Sequence, residues 1–164
     1  MAAWQFVIGI ISGFLTAFLA EPIKTYFVNR SKRSKLKTAL YREMVSVYDG
    51  LKFLVEAIVY KGIDIPIDDV IFSEFSCYEH AKSEPLTFYQ LKEAPLINQF
   101  YKNISILRNK INNGITSEQS IELTSIIVYQ TEKILTSEYF DKRLLARVSC
   151  QLFPNQRIKS QAKK

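Results

Sequence analysis

The first twenty residues constrain the fold most, because they contain no charged side chain. As a helix, Ala2–Ala20 would extend about 28 Å, close to the roughly 30 Å hydrocarbon core of a bilayer. Aromatic residues suited to the membrane interface lie near both ends of this stretch: Trp4, Tyr26 and Phe27. We therefore predict a transmembrane anchor over residues 1–21, with Pro22 ending its helix.

Two other interpretations of this stretch fit its sequence less well. A cleaved signal peptide needs a basic start and small residues before the cut, but no Lys or Arg precedes the stretch and Phe18 occupies the −3 position for a cut after Ala20. A buried helix of a soluble protein is the second alternative, and the length and the charged flank favour the membrane instead.

The positive charge is concentrated next to this stretch. The chain carries a net charge of +6, and residues 21–43 hold seven basic and two acidic side chains. The positive-inside rule then places the N-terminus outside the cell membrane and the rest of the chain in the cytoplasm. Residues 22–37 form a basic juxtamembrane segment, expected to contact anionic lipid headgroups through Lys24, Arg30, Lys32, Arg33, Lys35 and Lys37. Nucleic-acid binding is the alternative for this run.

Small residues recur every three or four positions within the anchor. Gly9 and Gly13 form a GxxxG motif that Ala17 and Ala20 extend. Such a face lets two membrane helices approach closely, so it predicts packing between copies of the chain. The alternative is that glycine and alanine are simply common in membrane helices.

The remaining chain has the apolar periodicity of helices and lacks the alternation of strands. The expected helices cover residues 34–60, 68–82, 95–113 and 118–152, the last with a break near Ser137. Residues 38–153 are predicted to form the bundle, and residues 154–164 a basic tail. The fold class is therefore all-α: a single N-terminal transmembrane helix followed by a cytoplasmic antiparallel helical bundle.

No set of residues predicts catalysis, a metal or a cofactor. The one histidine, His80, lies three residues from Cys77, but Cys150 is far away and no second histidine exists for a zinc site. Arg143 and Arg147, one helical turn apart, are a candidate anion-binding pair. The alternative is an exposed basic face that pairs with neighbouring acids.

These patterns predict a membrane-anchored helical bundle that binds an unknown protein partner or assembles with itself, as a homo-oligomer, at the cytoplasmic membrane face. The layout of short anchor, basic segment and helical domain is similar to that of small anchored accessory proteins of bacterial antiphage and CRISPR systems. This similarity implies an alternative, an oligomeric effector that perturbs the membrane or forms a pore. A third hypothesis, a tethered nuclease or nucleotide-binding domain, requires Arg143 and Arg147 to meet in a cleft.

Overall fold

The protein is all-helical over the residues that the computed structural model describes, which are 2–61, 75–113 and 117–152. Its helices are α1 (Ala2–Lys61), α2 (Ser76–Ser83), α3 (Pro85–Phe88), α4 (Ala94–Asn112), α5 (Ser117–Thr136) and α6 (Lys142–Leu152). The predicted helical bundle is confirmed. In the part of the chain that the structure describes, none of the helices combines the length and apolar composition needed to span a bilayer.

Helix α1 continues without a break from Ala2 to Lys61, with Pro22 inside it. The prediction that Pro22 ends the first helix is therefore wrong. A proline removes only one backbone donor and disfavours the helical conformation of the residue before it. Here the residues on both sides of Pro22 are helical, and the helix stays continuous. The predicted boundaries at residues 21 and 37 consequently fall within one helix, which is about 90 Å long.

The two halves of α1 have different surroundings. Its C-terminal half belongs to the core, with Leu40, Met44 and Leu51 fully buried. Nearer the N-terminus, large apolar side chains stand 46–70% exposed on a stretch that no other described helix covers: Phe18, Leu19, Ile23, Tyr26, Phe27 and Val28. The bundle therefore begins near Leu36, and α1 projects from it.

The core forms where α1 packs against α2, α3, α5 and α6, while α4 packs against α5. The apolar stripe of α4 is fully buried at Ile97, Phe100, Ile104 and Leu107. Helices α4 and α5 are consecutive, and the side-chain amide of Asn103 donates a hydrogen bond to Gln130 Oε1 at 3.0 Å, which fits the predicted antiparallel pairing.

Most helix ends agree with the sequence signals. Pro95 lies in the first turn of α4, as expected, and α4 ends at Asn112. The predicted break near Ser137 separates α5 from α6. Helix α2 begins only at Ser76, and the earlier part of the helix predicted from residue 68 lies outside the described residues, as does the predicted tail.

Candidate anion-binding cavity

A cavity of about 620 Å³ lies between α1, α6 and the turn that precedes α4. It is lined by six basic and two acidic side chains, a net charge of +4. The basic residues are Arg30, Arg33, Lys37, Lys92, Arg143 and Arg147, and the acidic ones are Glu93 and Asp141. We call this the basic cavity.

Helical spacing brings these side chains to one place. Arg30, Arg33 and Lys37 are separated by three and four residues, so they share one face of α1. Arg143 and Arg147 are four apart on α6 and likewise share a face. Helix α6 is held against α1 by the fully buried Val148, by apolar neighbours and by a hydrogen bond from the Arg42 guanidinium to Gln151 Oε1 at 3.1 Å.

The two acidic residues of the basic cavity are engaged by the protein itself. Glu93 is 3% exposed, and its carboxylate Oε1 lies 2.6 Å from Lys37 Nζ. The same oxygen accepts a hydrogen bond from the Tyr41 hydroxyl at 2.8 Å. Lys37 also lies 5.3 Å from the centre of the Tyr41 ring. The charge of Glu93 is therefore balanced within the bundle.

Asp141 forms the N-terminal cap of α6. Its Oδ1 accepts hydrogen bonds from the backbone N–H groups of Arg143 at 3.1 Å and Leu144 at 3.0 Å. The hydrogen bond from Leu144 is the largest of the effects that lower the pKa of Asp141, and the charges of Lys37 and Arg143 lower it further. Asp141 thus stays ionised while it holds the first turn of α6.

Tyr41 connects the three walls of the basic cavity, which are α1, the turn before α4 and the start of α6. The side chain is fully buried, and its hydroxyl accepts a hydrogen bond from the backbone N–H of Asp141 at 3.0 Å while donating to Glu93. Its ring lies 5.0 Å from that of Phe140. Burial raises the pKa of Tyr41 well above its usual range, so the hydroxyl keeps its proton and remains able to donate.

Several basic groups of the cavity have no such partner. Arg30, Lys92 and Arg147 make no ion pair with any other described residue. The Arg33 guanidinium donates to Gln90 Oε1, but its buried Nε has no hydrogen-bond partner within the described ranges. Most of the positive charge in the basic cavity is thus available to a ligand.

The structure brings together two groups of residues that the sequence treated separately. Arg30, Arg33 and Lys37, predicted to contact the membrane, line the same cavity as the predicted anion-binding pair Arg143 and Arg147. The remaining predicted headgroup contacts, Lys24, Lys32 and Lys35, do not line it. Sequence reasoning missed Lys92 and Glu93, because two isolated charges in a short turn give no signal of a site.

The small residues predicted to pack in the anchor are described only in part. Gly13 and Ala20 are exposed, and a Cβ placed on Gly13 meets no atom within 4 Å. The structure describes Gly9 and Ala17 as helical, but it does not describe what surrounds their side-chain positions. No contact within the described chain therefore requires a glycine at position 13.

A second cavity, of about 380 Å³, is lined in part by Cys77, His80, Glu84, Lys32 and Lys35. Burial raises the pKa of the Cys77 thiol, and the nearby Glu43 raises it further, so the reactive thiolate is disfavoured. His80 Nε2 lies 3.9 Å from Glu84 Oε1 on the exposed surface of the bundle. Among the described residues, no group of three or more potential ligands is placed to hold a metal ion.

The described residues thus define an all-α bundle with a basic cavity beside a long projecting helix. No protein-family model matches the chain, and no curated protein or solved structure matches it either.

Proposed function

We propose that this protein is a single-pass membrane protein of the cell membrane, with its N-terminus outside and its helical bundle in the cytoplasm. There the bundle docks a protein partner or assembles with other copies of the chain. The observation that carries this proposal is the continuity of α1, which runs from the uncharged stretch Ala2–Ala20 into the centre of the bundle core.

The surface of α1 outside the bundle supports this placement. An exposed row of large apolar side chains needs a cover of lipid or protein, because it is costly to leave in water. Phe18 and Leu19 lie at the end of the uncharged stretch, and the others, from Ile23 to Val28, overlap the start of the basic run at Lys24. Apolar and aromatic residues followed by basic ones are typical of a helix leaving a membrane toward the cytoplasm. The span itself is inferred from the sequence of residues 2–20.

The continuity of α1 gives the proposed anchor a mechanical role. A flexible linker would let a bundle turn freely beneath the membrane, whereas a continuous helix is a semi-rigid spacer that limits this motion. Because residues 36–57 of α1 provide buried core positions, the bundle takes its orientation from the anchor. Partner surfaces of neighbouring copies would then be presented in register, which raises their effective concentration.

Cysteine labelling tests this topology, because the structure supplies a suitable thiol. Cys150 is exposed, whereas Cys77 is partly buried. In a Cys77→Ala background, we expect a membrane-impermeant maleimide to label Cys150 only after the cells are opened. In the matched variant Ala2→Cys without Cys77 and Cys150, labelling should occur in intact cells. Labelling of Cys150 in intact cells, or recovery of the chain in the soluble fraction, would contradict the proposal.

Self-assembly through the anchor is a second proposal, supported by the open space beside Gly13. A helix face without side chains lets a neighbouring helix approach to backbone contact. Several anchors packed in this way would also be the starting point for the alternative function, a membrane-perturbing or pore-forming effector of a bacterial defence system.

The combined substitutions Gly9→Leu and Gly13→Leu are expected to convert an oligomer into a monomer in detergent. The added side chains block close approach between helices, and the open space around Gly13 means that the substitution does not clash within its own chain. Light scattering coupled to size-exclusion chromatography measures the mass. The control is Asn29→Leu, at an exposed position of α1 beyond the small-residue face. An unchanged oligomer in the double variant would exclude this face as the contact.

A further inference from the structure

We infer that the basic cavity binds a soluble anion that carries two or more phosphate groups. The cavity volume of about 620 Å³ is that of a small-molecule site. Its net charge of +4 comes from side chains on two helices and one turn, so the charges surround one open, concave space rather than lying along a single helix face.

The number and type of the basic residues point to more than one phosphate. Arginine guanidinium groups pair with phosphate oxygens through two parallel hydrogen bonds, which gives them a preference for phosphate over simple halide ions. The basic cavity has two arginine pairs, Arg30 with Arg33 on α1 and Arg143 with Arg147 on α6. A ligand with two phosphate groups can bind one arginine pair through each phosphate.

The two acidic residues are already counted in the net charge of +4, and among the described residues they form ion pairs only with Lys37. Glu93 is paired with Lys37 at 2.6 Å, and Asp141 accepts the first N–H groups of α6. Arg30, Lys92 and Arg147 have no ion pair within the described part of the chain. Like charges held around one space repel each other, so an anion between them relieves that repulsion and stabilises the docking of α6 on α1.

The position of the basic cavity along α1 favours a soluble ligand over a lipid headgroup, and this step rests on the proposed anchor. With the aromatic residues Tyr26 and Phe27 in the headgroup region, Arg30 lies about 5 Å and Lys37 about 15 Å beyond Phe27 along the helix axis. The headgroup region extends only about 5–8 Å beyond the hydrocarbon core on each side. A typical helix tilt of about 20° changes these distances little, so most of the cavity lies beyond the lipid phosphates.

Calorimetric titration of the full-length protein in detergent micelles, at constant ionic strength, tests the proposal with inorganic pyrophosphate and ADP as probes. Both should bind at least tenfold more tightly than inorganic phosphate. Arg147→Gln should weaken pyrophosphate binding about tenfold or more, because it removes a charge-assisted contact. Asp141→Asn keeps the helix cap but removes a negative charge, so it should tighten binding about threefold.

A matched pair of lysines provides the control. Lys92 lines the basic cavity, whereas Lys110 is an exposed lysine on α4 that does not. Lys92→Gln should weaken pyrophosphate binding and Lys110→Gln should leave it unchanged. Failure of both probes to bind, or equal effects of the two substitutions, would overturn the proposed site.

Nanodiscs separate the soluble ligand from a lipid. The affinity for pyrophosphate should be the same in discs of phosphatidylcholine and in discs that also contain phosphatidylglycerol. If phosphatidylglycerol competes with pyrophosphate, and the competition disappears in Arg147→Gln, the ligand is a lipid headgroup and the soluble anion is excluded. Because micelle titration does not depend on membrane topology, failure to bind would leave the cysteine-labelling test of the anchor unaffected.

Discussion

If residues 2–20 anchor the chain as proposed, the combined substitutions Ile10→Arg and Leu15→Arg are expected to release the protein from the membrane. Each arginine near the middle of a transmembrane helix costs about 2.5–3.5 kcal/mol of insertion free energy, so the pair costs about 5–7 kcal/mol. Both positions lie within the uncharged stretch and far from the first buried core residue, Leu36. The bundle should therefore keep its helical content after release.

Sedimentation after carbonate extraction measures this effect, with circular dichroism of the released protein as the check on folding. The unsubstituted chain should stay in the membrane pellet and the double variant should move to the supernatant. The matched control adds two arginines to exposed positions of α1 outside the stretch, Asn29→Arg and Ser46→Arg, and should remain in the pellet. A double variant that resists extraction would show that residues 2–20 do not anchor the chain.

The positions of the helices and most of the core were predictable from the sequence. Apolar residues three and four apart in residues 34–60 and 95–113 mark the buried faces of α1 and α4, because only a helix turns such a pattern into one stripe. The predicted apolar stripe of α1 is nevertheless narrower than the buried face in the structure. Tyr41 and Val45, beside the predicted positions, are also buried because helices cover α1 from several sides.

The continuation of α1 through Pro22 was not predictable from the local rule alone. That rule describes the preference of the residue before a proline, but not the cooperativity of a helix that is formed on both sides of it. The structure therefore has one long helix where the sequence indicated an anchor, a basic juxtamembrane segment and a separate first helix.

The basic cavity could not be assembled from the sequence, because its two helical walls, on α1 and α6, are more than 100 residues apart in the chain. Arg33 and Arg147 become neighbours only when α6 docks on α1, and no local pattern reports which helix will meet which. The sequence did single out Arg143 and Arg147 as a pair. Arg143 and Arg147 lie near Arg30, Arg33 and Lys37 only because α6 packs against α1.

The hydrogen bonds of Glu43 are another feature that the sequence could not show. Helix α2 has Phe75 at its N-cap, which offers no side-chain oxygen to the first backbone N–H groups of the helix. Glu43 of α1 supplies the missing acceptors: Oε2 accepts from Cys77 N–H at 2.8 Å and Oε1 from Tyr78 N–H at 3.2 Å. The hydroxyl of Tyr101 also donates to Glu43 Oε1. One carboxylate thus joins α1, α2 and α4.

We expect Glu43→Ala to lower the free energy of unfolding by about 3 kcal/mol, because it leaves two helix N–H groups and one hydroxyl without their acceptor. For a protein of this size, that corresponds to a fall in Tm of about 6–12 °C, measured by circular dichroism in detergent. Glu43→Gln retains one oxygen acceptor and should lose roughly half as much. The matched control Glu56→Ala, at an exposed position on the same helix, should change the stability by less than about 0.5 kcal/mol.

Cys77 provides an independent readout of the same contact. Its thiol is partly buried, and its pKa is raised by burial and by the neighbouring Glu43. Loss of the carboxylate in Glu43→Ala frees the start of α2 and removes a negative charge beside the thiol, and both changes favour the reactive thiolate. In a Cys150→Ala background, Cys77 should therefore react faster with maleimide in Glu43→Ala than in Glu56→Ala. Equal reaction rates and equal Tm values in these two variants would mean that Glu43 does not hold α2 against the bundle.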